Sequence, residues 1–243
     1  MAPFFLYYLA AIGNPNIDVK LDILKHNLTS IYDSIQSQFD IMINCYDDTG
    51  PKIKEMLSSL SFLNNVIIHE KKGRLVELWY TNPHHELVQN YHYILYMLDD
   101  VKINNMDIYE FINIKNTYAI EFLSPKVIGG TWEYMRNQED NVLAFANNIE
   151  LFCLLLTPRD FYKFISINDV ENNYTWGVDL LLGHFKIKSA ICFSFCVSHM
   201  LYSTTDGGIA GGQMHDYIRK HGYQSVSQIN EKYPPIYKTI FLS

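Results

Sequence analysis

Runs of apolar, strand-forming residues alternate with segments of helical periodicity along the first half of the chain, and this alternation limits the possible folds more than any other feature. The runs are Phe4–Ile12 (FFLYYLAAI), Phe39–Tyr46 (FDIMINCY), Asn65–Glu70 (NVIIHE) and Tyr93–Leu98 (YILYML). They are apolar almost throughout rather than at alternate residues, which is the pattern of strands buried on both faces. Between the first two, Val19, Leu21, Ile23, Leu24, Leu28, Ile31 and Ile35 mark the apolar face of a helix. A short helix over KIKEMLSSL separates the second run from the third. A helical stretch from Leu75 to Gln89, interrupted at Asn82-Pro83, separates the third from the fourth. The expected architecture is a single α/β domain with a mainly parallel central sheet and helices on both faces.

The second half is less regular. Thr117–Ser124, Asn148–Thr157 and Ser189–His199 read as further strands, and Thr157-Pro158 reads as the cap and first turn of a helix. Trp176–Phe185 reads as another helix, and Asp206–Gln213 as a glycine-rich loop followed by a short helix and a tail. No internal repeat and no interdomain linker stands out.

Hydrophobic residues make up 48% of the 243 residues and charged residues 19%, enough for a sizeable core. The net charge of −7 excludes the basic field that non-specific binding to nucleic acid requires. Cys45, Cys153, Cys192 and Cys196 lie in apolar surroundings and form no second metal-type pair, so they read as free thiols in a reducing compartment. The apolar N-terminus is too short to span a bilayer and lacks a basic leader segment, so a cytoplasmic protein without a transmembrane segment is expected.

In α/β sheets ligands bind beyond the carboxyl ends of the strands, and the fourth run ends in Asp99-Asp100. Adjacent carboxylates repel, and near a core each also loses hydration. A divalent cation, Mn²⁺ or Mg²⁺ shared with substrate phosphates, removes both problems; the alternative is a solvated acidic turn, as in YDDTG at Tyr46–Gly50. The third run ends in EKKGR, where Lys72 and Arg74 suit a pyrophosphate or simply form a solvated basic turn. There is neither a P-loop nor a G-x-G-x-x-G motif. In YTWGVDLLLGH, Trp176 offers a face for a sugar ring and Asp179 a general base, against the alternative of a core indole and a helix-start carboxylate. His199 ends an apolar strand and becomes a metal ligand if the carboxylates hold an ion. Glu150, at a strand start, either reaches an acceptor or is structural.

Taken in order, the Asp-rich strand end, the Trp-Gly-x-Asp segment and the downstream strand-end histidine resemble type A (GT-A) nucleotide-sugar glycosyltransferases. The likeness is to a poorly characterised group found in plants, bacteria and large DNA viruses, and it covers roughly Phe4 to Tyr202. The resemblance implies a nucleotide-sugar-binding half over 1–102, an acceptor half over 103–202 and a C-terminal loop and tail over 203–243. It implies a UDP-sugar donor, or a GDP-sugar, and a glycan or glycoprotein acceptor; if the chain is viral, it would act in the host cytoplasm. Asp100 matches the last Asp of the family's D-x-D motif, the usual metal ligand, and His199 a further ligand. Leu98 stands where the first Asp would be, so that role is lost or passes to Asp99. Ala11, Lys72, Arg74 and Asp99 would contact the donor, Trp176 and Glu150 the acceptor, and Asp179 would be the catalytic base of an inverting transfer. Two other readings stay open: a carbohydrate- or protein-binding module that kept the fold, and a metal-dependent nucleotidyltransferase.

Overall fold

A computed structural model of the protein describes residues 4–131, 139–200 and 206–242. The first apolar run is strand β1 (Phe5–Ile12), an interior strand, third from one edge of the sheet, whose residues are apolar on both sides. Phe5, Tyr7 and Leu9 enter the core on one face and Leu6, Tyr8 and Ala10 the core on the other. Strands β2 (Phe39–Cys45) and β4 (Tyr93–Met97) flank it, both parallel to it, and β3 (Leu63–Glu70) extends the parallel array to the edge. Helix α1 (Ile17–Ile35) lays Leu21, Leu24, Leu28, Ile31 and Ile35 on the first face, joined there by α2 (Gly50–Ser58) and α4 (Ile108–Thr117). The second face is covered by α3 (Leu75–Thr81) and α5 (Pro158–Ile167), whose Trp79, Phe161 and Phe164 meet Tyr8 and Tyr96.

The other half of the sheet is mixed. Beyond β4 the order runs through β8 (Cys153–Leu156), β6 (Phe122–Ile128), β9 (Ser189–His199) and β7 (Val142–Ala146) to β10 (Ile236–Phe241) at the edge. Of these neighbours only β6 and β9 run parallel; β4–β8, β6–β8, β7–β9 and β7–β10 are antiparallel. A turn at Leu98–Asp100 leads from β4 into the short strand β5 (Val101–Asn105), which pairs antiparallel with β9 so that Val101 lies opposite His199. The three cysteines Cys45, Cys153 and Cys192 are buried and Cys196 is half-buried, all four as free thiols.

Three expectations are corrected. The glycine-rich segment is a helix, α6 (Gly207–Lys220), because Asp206 caps it with hydrogen bonds from the Gly208 and Ile209 amides at 2.9 and 3.2 Å, satisfying donors the first turn leaves open. The expected C-terminal tail holds α7 (Val226–Lys232) and the sheet strand β10; positions 201–205, where the expected segments meet, lie outside the described residues. Trp176–Phe185 is a series of turns with one 3₁₀ stretch at Asp179–Leu181, and a helix cannot start before Val178 because Thr175 and Gly177 take left-handed φ of 60° and 87°. Among the described residues no helix is long and apolar enough to cross a membrane.

Candidate active site

The carboxyl ends of β1, β2 and β4 open onto a cavity of about 780 Å³, of the size that takes a nucleotide-sized ligand. Its wall also includes Arg74 and Leu75 at the start of α3, Gly129 and Thr131 after β6, Glu150–Phe152 before β8, the 173–180 turns, His199 and Met214. Ala11, Arg74, Asp99, Asp100, Glu150, Trp176, Asp179 and His199 therefore surround one space. Lys72 is exposed and is not part of the wall.

Asp100 and His199 are 99 residues apart in sequence and meet through β5–β9 pairing. The Met200 amide donates to the Asp100 carbonyl at 2.8 Å, and His199 Nε2 lies 3.1 Å from Asp100 Oδ2. Phe152 packs on the imidazole with ring centroids 4.5 Å apart. Gly129 makes room for this strand end: its φ is +79° and a Cβ there would lie 2.8 Å from the His199 carbonyl oxygen. Burial pushes the imidazole pKa down, but the hydrogen bond and charge of Asp100, with a hydrogen bond to the Gly129 backbone, outweigh it and leave His199 above its ordinary value.

Asp99 turns away from this pair. Its Oδ2 lies 2.9 Å from Lys20 Nζ, a buried ammonium on α1 that also donates to the Gly13 carbonyl at 3.1 Å and to the Tyr46 hydroxyl at 3.3 Å. Burial raises the Asp99 pKa to about 6, with the Asp100 charge adding to the rise and Lys20 restraining it. Asp47, in the acidic turn after β2, is used structurally: it accepts from the Asn14 amide at 2.6 Å and from the Thr49 amide and hydroxyl at 3.1 and 2.6 Å.

On the opposite wall the left-handed Gly177 folds the chain back so that its amide donates to Asp179 Oδ1 at 3.0 Å. The Trp176 side chain, 43% exposed, stands beside that carboxylate on the wall. Glu150 is buried, and its Oε1 accepts from the Thr131 amide. Lys20, Tyr46 and Met214 are cavity residues that the sequence reading did not single out.

The donor set admits a divalent cation on its own chemistry. Asp100 and His199 present one carboxylate and one imidazole to each other, a mixed set that suits Mn²⁺ better than the all-oxygen preference of Mg²⁺. Among the described residues no group of three or more His, Cys, Asp or Glu side chains could hold a metal. Among the described residues Asp100 and His199 are two such side chains standing together on this wall.

No family model matches the chain, and no curated protein matches it in sequence. Solved structures do match in fold. GalNAc-T7, crystallised with UDP, GalNAc and Mn²⁺, superposes with a TM-score of 0.60 at 7% identity, over 95% of this chain and 55% of that one. TarS of S. aureus matches at a TM-score of 0.53 and 11% identity, over 93% of this chain and 44% of that one. Its 1–349 fragment, in complex with UDP-GlcNAc, matches at 0.56 and 9%, over 94% and 70%. The chain spans about half the length of the full proteins it superposes on. These are GT-A glycosyltransferases, and the chain has a GT-A-like fold.

Proposed function

We propose that the protein is a metal-dependent glycosyltransferase that moves a sugar from a nucleoside-diphosphate sugar, a UDP-sugar ahead of a GDP-sugar, to a hydroxyl of a glycan or glycoprotein. One observation carries the reading: a single cavity at the strand ends gathers a carboxylate–imidazole pair, a guanidinium, an exposed indole and a separate carboxylate. The fold shared with proteins crystallised with UDP and Mn²⁺ or with UDP-GlcNAc supports the choice of donor and of cation.

Asp100 and His199 would hold the cation. When bound, it supplies positive charge that stabilises the departing diphosphate. Ala11, with no side chain beyond Cβ, leaves room at the end of β1 for the nucleoside, and Asp99 lies on the same wall as a hydrogen-bond acceptor. Arg74 adds a cation on the donor side. Asp179, oriented by the Gly177 amide, takes the proton of the acceptor hydroxyl as it attacks the anomeric carbon, which inverts configuration. Trp176 provides a face for the acceptor sugar, and Glu150 a buried carboxylate on the same side. Lys72, away from the wall, has no part in this scheme.

Calorimetric titration of UDP, GDP and their sugar conjugates, with and without Mn²⁺, tests the reading on wild type and Asp100→Ala. Metal-dependent binding of one diphosphate, lost in the variant, is the expected result. A folded protein that binds none of them with Mn²⁺ present rules the transferase out and leaves a binding module on this fold.

A further inference from the structure

Lys20 is a lysine in a place where lysines are rarely found. It is 4% exposed, on the inner face of α1, and its three N–H groups meet three acceptors contributed by three different strand ends: Gly13 after β1, Tyr46 after β2 and Asp99 after β4. The Tyr46 hydroxyl in turn donates to the Asn14 carbonyl at 2.6 Å. A buried ammonium is costly unless paired, and Asp99, whose side chain is 18% exposed, supplies its countercharge.

The pairing has a consequence for any cation at the neighbouring Asp100–His199 pair. Asp99 is the next residue in the chain and would otherwise be a third candidate ligand, yet its Oδ2 is committed to an ammonium 2.9 Å away. The same ammonium adds a positive charge beside the site, which repels a divalent ion. Among the described residues two candidate ligands remain, and the rest of the ion's shell falls to water or to phosphate oxygens, of which the phosphates alone bring the negative charge that holds a hard cation. We propose that Lys20 makes metal uptake conditional on the nucleotide: by occupying Asp99 it leaves Asp100 and His199 too weak a site to hold the ion alone, so that the ion and the diphosphate enter together. Lys20 is then a positioning residue rather than a catalytic one. The inference rests on the proposed reading of the cavity as a nucleoside-diphosphate site, and it deepens that reading by assigning the order in which its ligands assemble. An enzyme built this way does not retain its cation after the nucleoside diphosphate leaves.

Electron paramagnetic resonance of Mn²⁺ separates free from bound ion without any turnover. Wild type with Mn²⁺ alone should show essentially the free-ion signal, and addition of UDP should remove it. Lys20→Met frees Asp99 and deletes the repelling charge, so it should bind Mn²⁺ without UDP at least about tenfold tighter than wild type. The gain should vanish in Lys20→Met/Asp99→Asn. Should Lys20→Met fail to fold, Lys20→Gln decides: it keeps a hydrogen-bond donor, deletes the charge and should likewise bind Mn²⁺ more tightly than wild type without UDP. Equal Mn²⁺ binding by wild type and the folded Lys20 variant in the absence of UDP overturns the proposal. Wild type that takes up no Mn²⁺ even with UDP overturns the parent reading as well, and is distinguished by failing before any variant is compared.

Discussion

Between pH 6.5 and 4 an unfolded chain protonates its histidines, whereas His85 in the folded protein resists protonation. It lies in the 3₁₀ segment Pro83–Asn90, with Nε2 2.7 Å from the Tyr8 hydroxyl. The direction of that bond follows from its neighbours. Asn82 Nδ2 donates to Asn44 Oδ1 at 2.9 Å, and Asn44 Nδ2 then donates to the Tyr8 hydroxyl at 2.8 Å. The Tyr8 hydroxyl, already accepting from Asn44, can give its proton to His85 Nε2, and it does so only when that nitrogen is unprotonated. Burial, reinforced by the charges of His69 and His84, lowers the His85 pKa to about 4 from an ordinary 6.5. A histidine with a depressed folded pKa stabilises the fold above the unfolded value and loses that contribution as pH falls towards the folded one. A gap of that size is worth about 3 kcal/mol, lost between pH 6.5 and 4. Chemical denaturation of wild type and His85→Gln over this range measures it, because glutamine keeps an acceptor for Tyr8 and does not titrate. The difference in stability between the two should narrow by about 3 kcal/mol from pH 7 to pH 4. Parallel pH profiles for the two proteins refute the donor chain described above.

Other outcomes follow from the same geometry. Asp179→Asn should leave Mn²⁺-dependent UDP binding unchanged and lower sugar transfer by about 10²–10⁴-fold; transfer at the wild-type rate removes Asp179 as the base. Lys115, 2% exposed, is held 2.8 Å from Asp160 and donates to the Ile120 and Glu121 carbonyls at 2.7 and 2.6 Å. Lys115→Met strands a buried carboxylate and should cost about 3–5 kcal/mol in denaturant unfolding, with Lys115→Met/Asp160→Leu recovering much of it. Gly177→Ala forces an L side chain to φ +87° with its Cβ 2.9 Å from Met214 Cγ. It should cost about 1–3 kcal/mol and lower transfer more than UDP binding, because Asp179 moves with the turn.

The parallel half of the fold is legible in the sequence because its strands are buried on both faces, and no local signal competes with that pattern. The elements that escape are those where local and tertiary signals disagree. Strand β5 presents only Val101 and Ile103 to the core and ends in two asparagines, so its five residues read as a loop until β9 supplies a partner. Helix α6 begins Gly207-Gly208 and contains Gly211-Gly212, a composition that argues for a loop; the Asp206 cap and the buried Ala210, Tyr217 and Ile218 outweigh it. The Trp176–Phe185 segment fails the other way. Its apolar residues suit a helix, and the left-handed Thr175 and Gly177 impose turns instead.

The expected site residues other than Lys72 come to one wall for a topological reason: strand ends face one edge of the sheet, so residues chosen for standing at those ends become neighbours. That logic is blind to a residue arriving from a helix, which is why Lys20 was overlooked. The signal was nevertheless present. Ile17, Leu21, Leu24, Leu28, Ile31 and Ile35 form the buried stripe of α1, and Lys20, three residues after Ile17, lies on that stripe rather than on the solvated face. A lysine on an apolar stripe is an uncompensated charge until a buried carboxylate is found for it. Asp99 after an apolar strand poses the same problem with the opposite sign. Each violation is hard to interpret alone, but together they are one ion pair, in which Lys20 neutralises Asp99 while Asp100 faces His199 instead.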